Sequence, residues 1–107
     1  LTAGDSVYIN YAGTVAKASA AFGGFDAMGF VLYTYISGAS ALVYLEGRNT
    51  ALAGLTIGAR YYLSDSVPGG LTDTPVTGAG KRHQYIGNAV TATSLSFEPD
   101  DGIVLAQ

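Results

Sequence analysis

The sequence predicts an all-β domain, a small antiparallel β-barrel or β-sandwich. Three observations lead there. Fifteen glycines punctuate 107 residues at short intervals. The runs between them are rich in Tyr, Val, Ile, Leu and Thr, whose branched or aromatic side chains suit a pleated surface. No segment holds a 3.6-residue apolar period over ten residues, so nothing reads as an amphipathic helix.

Strands are expected at about Ser6–Asn10, Thr14–Ala18, Ala27–Tyr35, Ala41–Glu46, Ala59–Ser64, Gln84–Ala92, Ser94–Phe97 and Ile103–Ala106. Gly13, Gly38, Gly47, Gly58, Pro68-Gly69-Gly70 and Gly78–Gly80 mark the turns between them. Lys17–Gly24 and Ala51–Leu55 are each read as one helical turn. One domain is expected, since the chain is long enough for one hydrophobic core and not for two.

The chain also repeats itself at an offset near 54 residues. Gly4-Asp5-Ser6-Val7-Tyr8-Ile9 resembles Gly58-Ala59-Arg60-Tyr61-Tyr62-Leu63, and Gly13-Thr14-Val15 resembles Gly70-Leu71-Thr72. Met28-Gly29-Phe30-Val31 matches Ile86-Gly87-Asn88-Ala89, and Ser40–Glu46 answers Thr93–Glu98. Two similar halves, about 1–54 and 55–107, are therefore expected, each covering strand edges that the other leaves open.

Composition excludes several classes. Hydrophobic residues make up 49% and charged ones 12%, so the chain is not of the disordered type. A formal charge of -3, with Lys81-Arg82 as the sole adjacent basic pair, argues against nucleic acid. No apolar run approaches the roughly 20 residues of a membrane-crossing helix, so no membrane insertion is expected. Without cysteine there is neither a disulfide framework nor a thiolate metal site. The chain opens on Leu1-Thr2-Ala3-Gly4, without an initiator Met, and is expected to be the C-terminal part of a longer protein.

Two runs break the alternation of a half-buried strand. Val7 and Ile9 alternate with Ser6 and Asn10, as one buried face requires. Phe30-Val31-Leu32-Tyr33-Thr34-Tyr35-Ile36 and Leu42-Val43-Tyr44-Leu45 are apolar or aromatic on both faces. One face supplies the core, and the other needs a cover: a neighbouring subunit, or a loop of the same chain. Phe30, Leu32, Tyr33, Tyr35, Val43 and Leu45 are the expected subunit-interface residues.

Stretches that resemble catalytic motifs fail on mechanics. Gly4-Asp5-Ser6 resembles an esterase nucleophile block, but His83, the only histidine, lies in no Asp-x-x-His pattern. Gly78-Ala79-Gly80-Lys81 has Pro75 and Arg82 where a phosphate loop needs Gly and Ser or Thr, and reads as an exposed basic hairpin tip. Glu46 and Glu98 fall at equivalent strand ends and read as solvated turn acids instead of a glycosidase pair. Asp100-Asp101-Gly102 reads as an acidic turn, because no spaced Asp-x-Asp series accompanies it. No enzyme, no cofactor and no metal is expected. Tyr11, Tyr33, Tyr35, Tyr61 and Tyr85 could project outward onto a partner protein or, beside Asp65, Asp73 or Asn49, onto sugars, but without Trp a core or subunit-interface role is the better reading for most of them.

One family resemblance runs through most of the chain. Gly58-Ala59-Arg60-Tyr61-Tyr62-Leu63-Ser64, Pro68-Gly69-Gly70-Leu71-Thr72 and Gln84-Tyr85-Ile86-Gly87-Asn88-Ala89 resemble a pattern of tailed-bacteriophage virion proteins. Gly4–Val7 with Gly13–Ala18 and Gly29-Phe30-Val31 is similar to small capsid-decoration proteins. Asn88 departs from the pattern, which more often has a small apolar residue there. The resemblance implies a capsid-decoration or head-fibre domain on the virion surface, homotrimeric, with a missing N-terminal segment on the major capsid protein. A tail-fibre or baseplate module that binds host surface glycans or a receptor is the alternative it implies.

Overall fold

The computed structural model describes residues 1–10, 13–21, 23–36, 38–100 and 102–104. Among these the chain is all-β, without helix: β1 (Ser6–Ile9), β2 (Val15–Lys17), β3 (Gly29–Phe30), β4 (Gly47–Asn49), β5 (Arg60–Leu63), β6 (Leu71–Thr72), β7 (Arg82–His83), β8 (Tyr85–Thr91), β9 (Ser94–Phe97) and β10 (Ile103–Val104). Two antiparallel sheets carry the fold, one in the order β2-β1-β3 and one in the order β4-β9-β8-β5-β6, beside a short β7–β10 pair. Neither sheet closes into a barrel; the larger one ends at β4 and β6.

The two sheets share one pairing plan. β1 lies between β2 and β3, as β5 lies between β6 and β8. Val7 faces Gly29 across the first sheet, and Tyr61 faces Gly87 across the second. Ile9 opposes Val15 where Leu63 opposes Leu71. Turn bonds correspond as well: Asp5 N–H donates to Thr2 O as Ala59 N–H donates to Thr56 O, and Gly4 N–H donates to Val31 O as Gly58 N–H donates to Ala89 O. Gly4 and Gly58 both have positive φ, +90° and +82°, a region that L side chains disfavour. Leu1-Thr2 and Leu55-Thr56 extend the sequence match beyond the segments read from periodicity.

Gly29 and Gly87 share a second property. A Cβ on Gly29 would stand 2.6 Å from Tyr44 O and 2.6 Å from a Val43 methyl. A Cβ on Gly87 would fall on the Ser96 carbonyl oxygen and 3.1 Å from a Leu95 methyl. Each glycine lets the next strand lie close against it, which equates Val43-Tyr44-Leu45 with Leu95-Ser96-Phe97.

The core sits between the sheets. Phe30 from the first meets Phe97 from the second at 4.8 Å between ring centroids, and Tyr44 stacks on Phe30 at 5.4 Å. Leu63, Ile86, Leu95, Ala89 and Tyr61 complete the cluster. A register shift between β5 and β8 places Tyr85 opposite Tyr62 and leaves Ile86 buried.

Several expectations need correction. The strand expected over Ala27–Tyr35 is reduced to Gly29–Phe30, because the four residues of β1 offer only a short edge. Tyr35 pairs instead with Leu1, exchanging backbone bonds of 2.9 and 3.0 Å. Ala41–Glu46 forms one bridge, Phe30 to Tyr44. Gly47, expected in a turn, begins β4 on β9, with buried Asn49 donating to Gly4 O and accepting from Ala51 N–H. No helical turn forms at Lys17–Gly24 or Ala51–Leu55 among the described residues. The last strand is described only as Ile103–Val104; Leu105 and Ala106 lie outside the described residues. Ser6, expected to face water, is fully buried.

Gln84 ties the layers together. Its buried amide accepts from Ala27 N–H (2.8 Å) and donates to Ala27 O (2.9 Å) and Asp100 O (2.8 Å). Gln84→Leu leaves the buried Ala27 N–H and C=O without partners, frees the Asp100 carbonyl as well, and is expected to lower stability by about 2–4 kcal/mol in urea unfolding. Gly87→Ala forces β9 off β8 and is expected to cost about 3 kcal/mol. A loss below about 1 kcal/mol in either variant would refute the corresponding account.

A candidate assembly surface

Residues 31–36 leave the first sheet along the N-terminus, and residues 38–46 return to β3. The outbound arm is held by the Leu1–Tyr35 pair and by Ala3 N–H donating to Thr34 Oγ1 at 3.1 Å. The return arm is held by the Phe30–Tyr44 bridge and by Leu42 N–H donating to the Tyr35 hydroxyl at 3.2 Å. Between these anchors stand exposed apolar side chains: Tyr33 at 64%, Ile36 at 81%, Leu42 at 57% and Leu45 at 61% relative exposure. No loop of the described chain covers them. Beside them lies a cleft of about 660 Å3 lined by Leu1, Val15, Tyr35, Ile36 and Ala41.

The six expected interface residues are therefore brought to one region but do not share one environment. Tyr33 and Leu45 are exposed; Leu32, Tyr35 and Val43 are half-buried. Phe30 is a correction: with 1% exposure it belongs to the chain's own core and offers a partner no surface. Leu42 and Ile36 were missing from the expected set, although both lie in the runs that lack alternation.

A second apolar concavity, about 510 Å3, was not visible in the sequence. Tyr8 stacks on Phe25 at 4.5 Å on its floor, Ile9 and Met28 flank it, and the Arg82–Asp26 ion pair closes one side. Arg82 also donates to Gly24 O at 2.7 Å. Lys81 reaches Asp65 at 2.8 Å, and that hydrogen bond holds the Asp65 carboxyl below its ordinary range. The expected basic hairpin tip is thus neutralised by two acids.

The outer face of the larger sheet carries a third cluster. Arg60 lies over the Tyr85 ring at 4.5 Å, the Tyr85 hydroxyl donates to Asn88 Oδ1 at 2.8 Å, and Tyr62 packs edge-on against Tyr85. Tyr85 and Tyr33 fit the expectation of accessible tyrosines. Tyr61 is a core tyrosine, as the preferred reading expected of most of them: it is buried, and its hydroxyl accepts from Thr56 N–H. Tyr11 lies outside the described residues. Of the proposed sugar neighbours, Asn49 is buried and Asp65 is tied to Lys81, leaving Asp73 exposed.

Ser6, the candidate nucleophile, has no solvent access, and its Oγ has no hydrogen-bond partner among the described residues. Glu46 and Glu98 are exposed at strand ends. Asp101 lies outside the described residues; among those described, no three His, Asp or Glu side chains form a metal-sized group.

Burial pushes the Tyr85 phenol above its ordinary range, with Arg60 opposing the shift and Glu98 adding to it. In an ultraviolet titration Tyr85→Phe is accordingly expected to remove a step that lies above the ordinary tyrosine range. Loss of an early step instead would contradict this placement. Comparison with protein-family models, curated proteins and solved structures finds no match to this chain.

Proposed function

We propose that this chain is a structural domain of a tailed-phage particle, a capsid-decorating or head-fibre domain of two related halves that assembles as a homotrimer on the capsid exterior. The observation that carries this reading is the exposed apolar segment around Tyr33, Ile36, Leu42 and Leu45, adjoining the domain's own core. A chain with 12% charged residues has little polar surface with which to isolate such a patch. Burying it between subunits would gain roughly 25 cal/mol per Å2 of apolar area. The resemblance of Gly58–Ser64, Pro68–Thr72 and Gln84–Ala89 to virion proteins supplies the setting. In this reading the domain performs no chemistry, uses no cofactor and is seated on the major capsid protein.

A second reading draws on the Arg60–Tyr85–Asn88 cluster with Tyr62 beside it. Ring faces next to hydrogen-bonding side chains suit stacking on a sugar. As a glycan- or receptor-binding module of a tail fibre or baseplate, the domain would bind through this face.

Light scattering behind a sizing column, at micromolar concentration, tests the first reading. A trimer mass is expected, and Leu45→Lys with Ile36→Lys is expected to shift it toward the 10.9 kDa monomer. A monomeric wild-type chain would overturn the assembly reading. A glycan array then tests the second, with Tyr85→Ala expected to abolish any signal.

A further inference from the structure

The outer face of the larger sheet carries a row of hydrogen-bond donors. Arg48 of β4 lies opposite Ser96 of β9, Ser96 opposite Asn88 of β8, and Asn88 opposite Arg60 of β5. Residues directly opposite in an antiparallel ladder project from the same face, so the four side chains form one line across four strands. Their neighbours Asn49, Leu95, Phe97, Ala89 and Tyr61 are buried, which sets this line on the water side, where Arg48, Asn88 and Arg60 are exposed. Three strand spacings separate the two arginines, about 14 Å. Among the described residues, Lys17, Lys81 and Arg82 each pair with an aspartate, whereas Arg48 and Arg60 make no ion pair. Arg60 is nevertheless held in place. Its guanidinium lies over the Tyr85 ring at 4.5 Å, a contact that leaves the in-plane N–H groups free to bind. Asn88 is oriented too: its Oδ1 accepts from the Tyr85 hydroxyl, so its NH2 group is what remains to offer.

We infer that this row binds an acidic polysaccharide, with carboxylates of the sugar chain on Arg48 and Arg60 and oxygens between them on Ser96 and Asn88. The inference rests on the glycan reading above and names its ligand class. Donors dominate the row, so an acceptor-rich anion fits it better than a neutral sugar, whose hydroxyls both give and accept. One small carboxylate does not touch two guanidinium groups about 14 Å apart, whereas a chain with repeated acid groups does. Each arginine offers a planar fork that matches carboxylate geometry. Glu46 and Glu98 flank the row on one side and the uncharged Ser94 and Val90 on the other, so the anionic chain lies toward Ser94. A nucleic acid fits less well, because its affinity comes from many phosphate contacts and this face offers two cations.

Calorimetric titration of the full chain with oligogalacturonate, oligoalginate and oligomeric sialic acid, each beside its methyl ester, tests this. At least one acid form is expected to bind, and its ester, which differs only in charge, is not. Arg48→Gln and Arg60→Gln are each expected to weaken that binding by about 10-fold, as the loss of a charge-assisted contact gives. Added salt is expected to weaken it in the wild type. Lys81→Gln removes an equal charge from a site already paired with Asp65 and is expected to leave binding unchanged. Both arginines stand in water, so neither substitution disturbs the core. Acid and ester forms that bind equally, with loss in Tyr85→Ala, would overturn the acidic ligand and leave the glycan reading standing. Loss in Arg60→Gln without loss in Arg48→Gln would overturn the two-arginine row. Tighter binding of oligothymidylate than of any acidic sugar would overturn the glycan in favour of a nucleic acid. No binding of any acid form would overturn this inference, while a neutral glycan that binds and is lost in Tyr85→Ala would still sustain the reading it rests on.

Discussion

The sheets are held together where the Phe30 and Phe97 rings meet, and that joint depends on two bare backbones. Phe97 lies opposite Gly87 in the β8–β9 ladder, and Gly29 precedes Phe30 in β3. With no Cβ in the way, Ser96 and Tyr44 approach closely enough to present their neighbours to the core. Side chains at either glycine would push the flanking strand outward and separate rings that lie 4.8 Å apart. The three partly exposed ion pairs among the described residues give little electrostatic support to substitute for this packing, because such pairs contribute at most about 1 kcal/mol each.

Buried polar groups give the packing its uniqueness. Gln84 presents donor and acceptor to the backbone of Ala27 as a neighbouring strand would, and also takes the Asp100 carbonyl. Asn49 joins β4 to the Gly4 turn, linking the larger sheet to the start of the smaller one. An apolar residue of similar size would fill either space and leave backbone groups unpaired in a low-dielectric interior. These two amides select one arrangement of strands whose apolar faces would tolerate several.

The same pairing plan meets two environments. In the second sheet the positions of Tyr61, Ala89, Leu95 and Phe97 form the core. In the first, Val7 and Val31 are buried, but Leu45 is exposed. The sheets pack through non-equivalent faces: the first turns Phe30 and Tyr44 toward the second, whereas the second keeps Asn88, the counterpart of Phe30, in water. That asymmetry leaves Leu42 and Leu45 exposed, with no described residue over them.

Local chemistry made much of this legible. Turn glycines, β-branched runs and the absence of a helical period determined the all-β class, the sites of β1, β2, β5, β8 and β9, and the correspondence between the halves. These signals act over a few residues, where φ restrictions and side-chain alternation operate. The two-faced runs likewise marked the region around Tyr33 and Leu45, since apolar side chains on both faces need cover on both. Tertiary structure alone decided the rest. Gly47-Arg48-Asn49 has no strand propensity to speak of and became β4 because the β9 edge and the Gly4 carbonyl were there to receive it. Ser6 was placed inside, and Phe30 in the core instead of at an interface, by elements distant in the sequence. Whether a face is inside or outside depends on which strand arrives beside it, and that is a property of the assembled sheets rather than of any local stretch of chain.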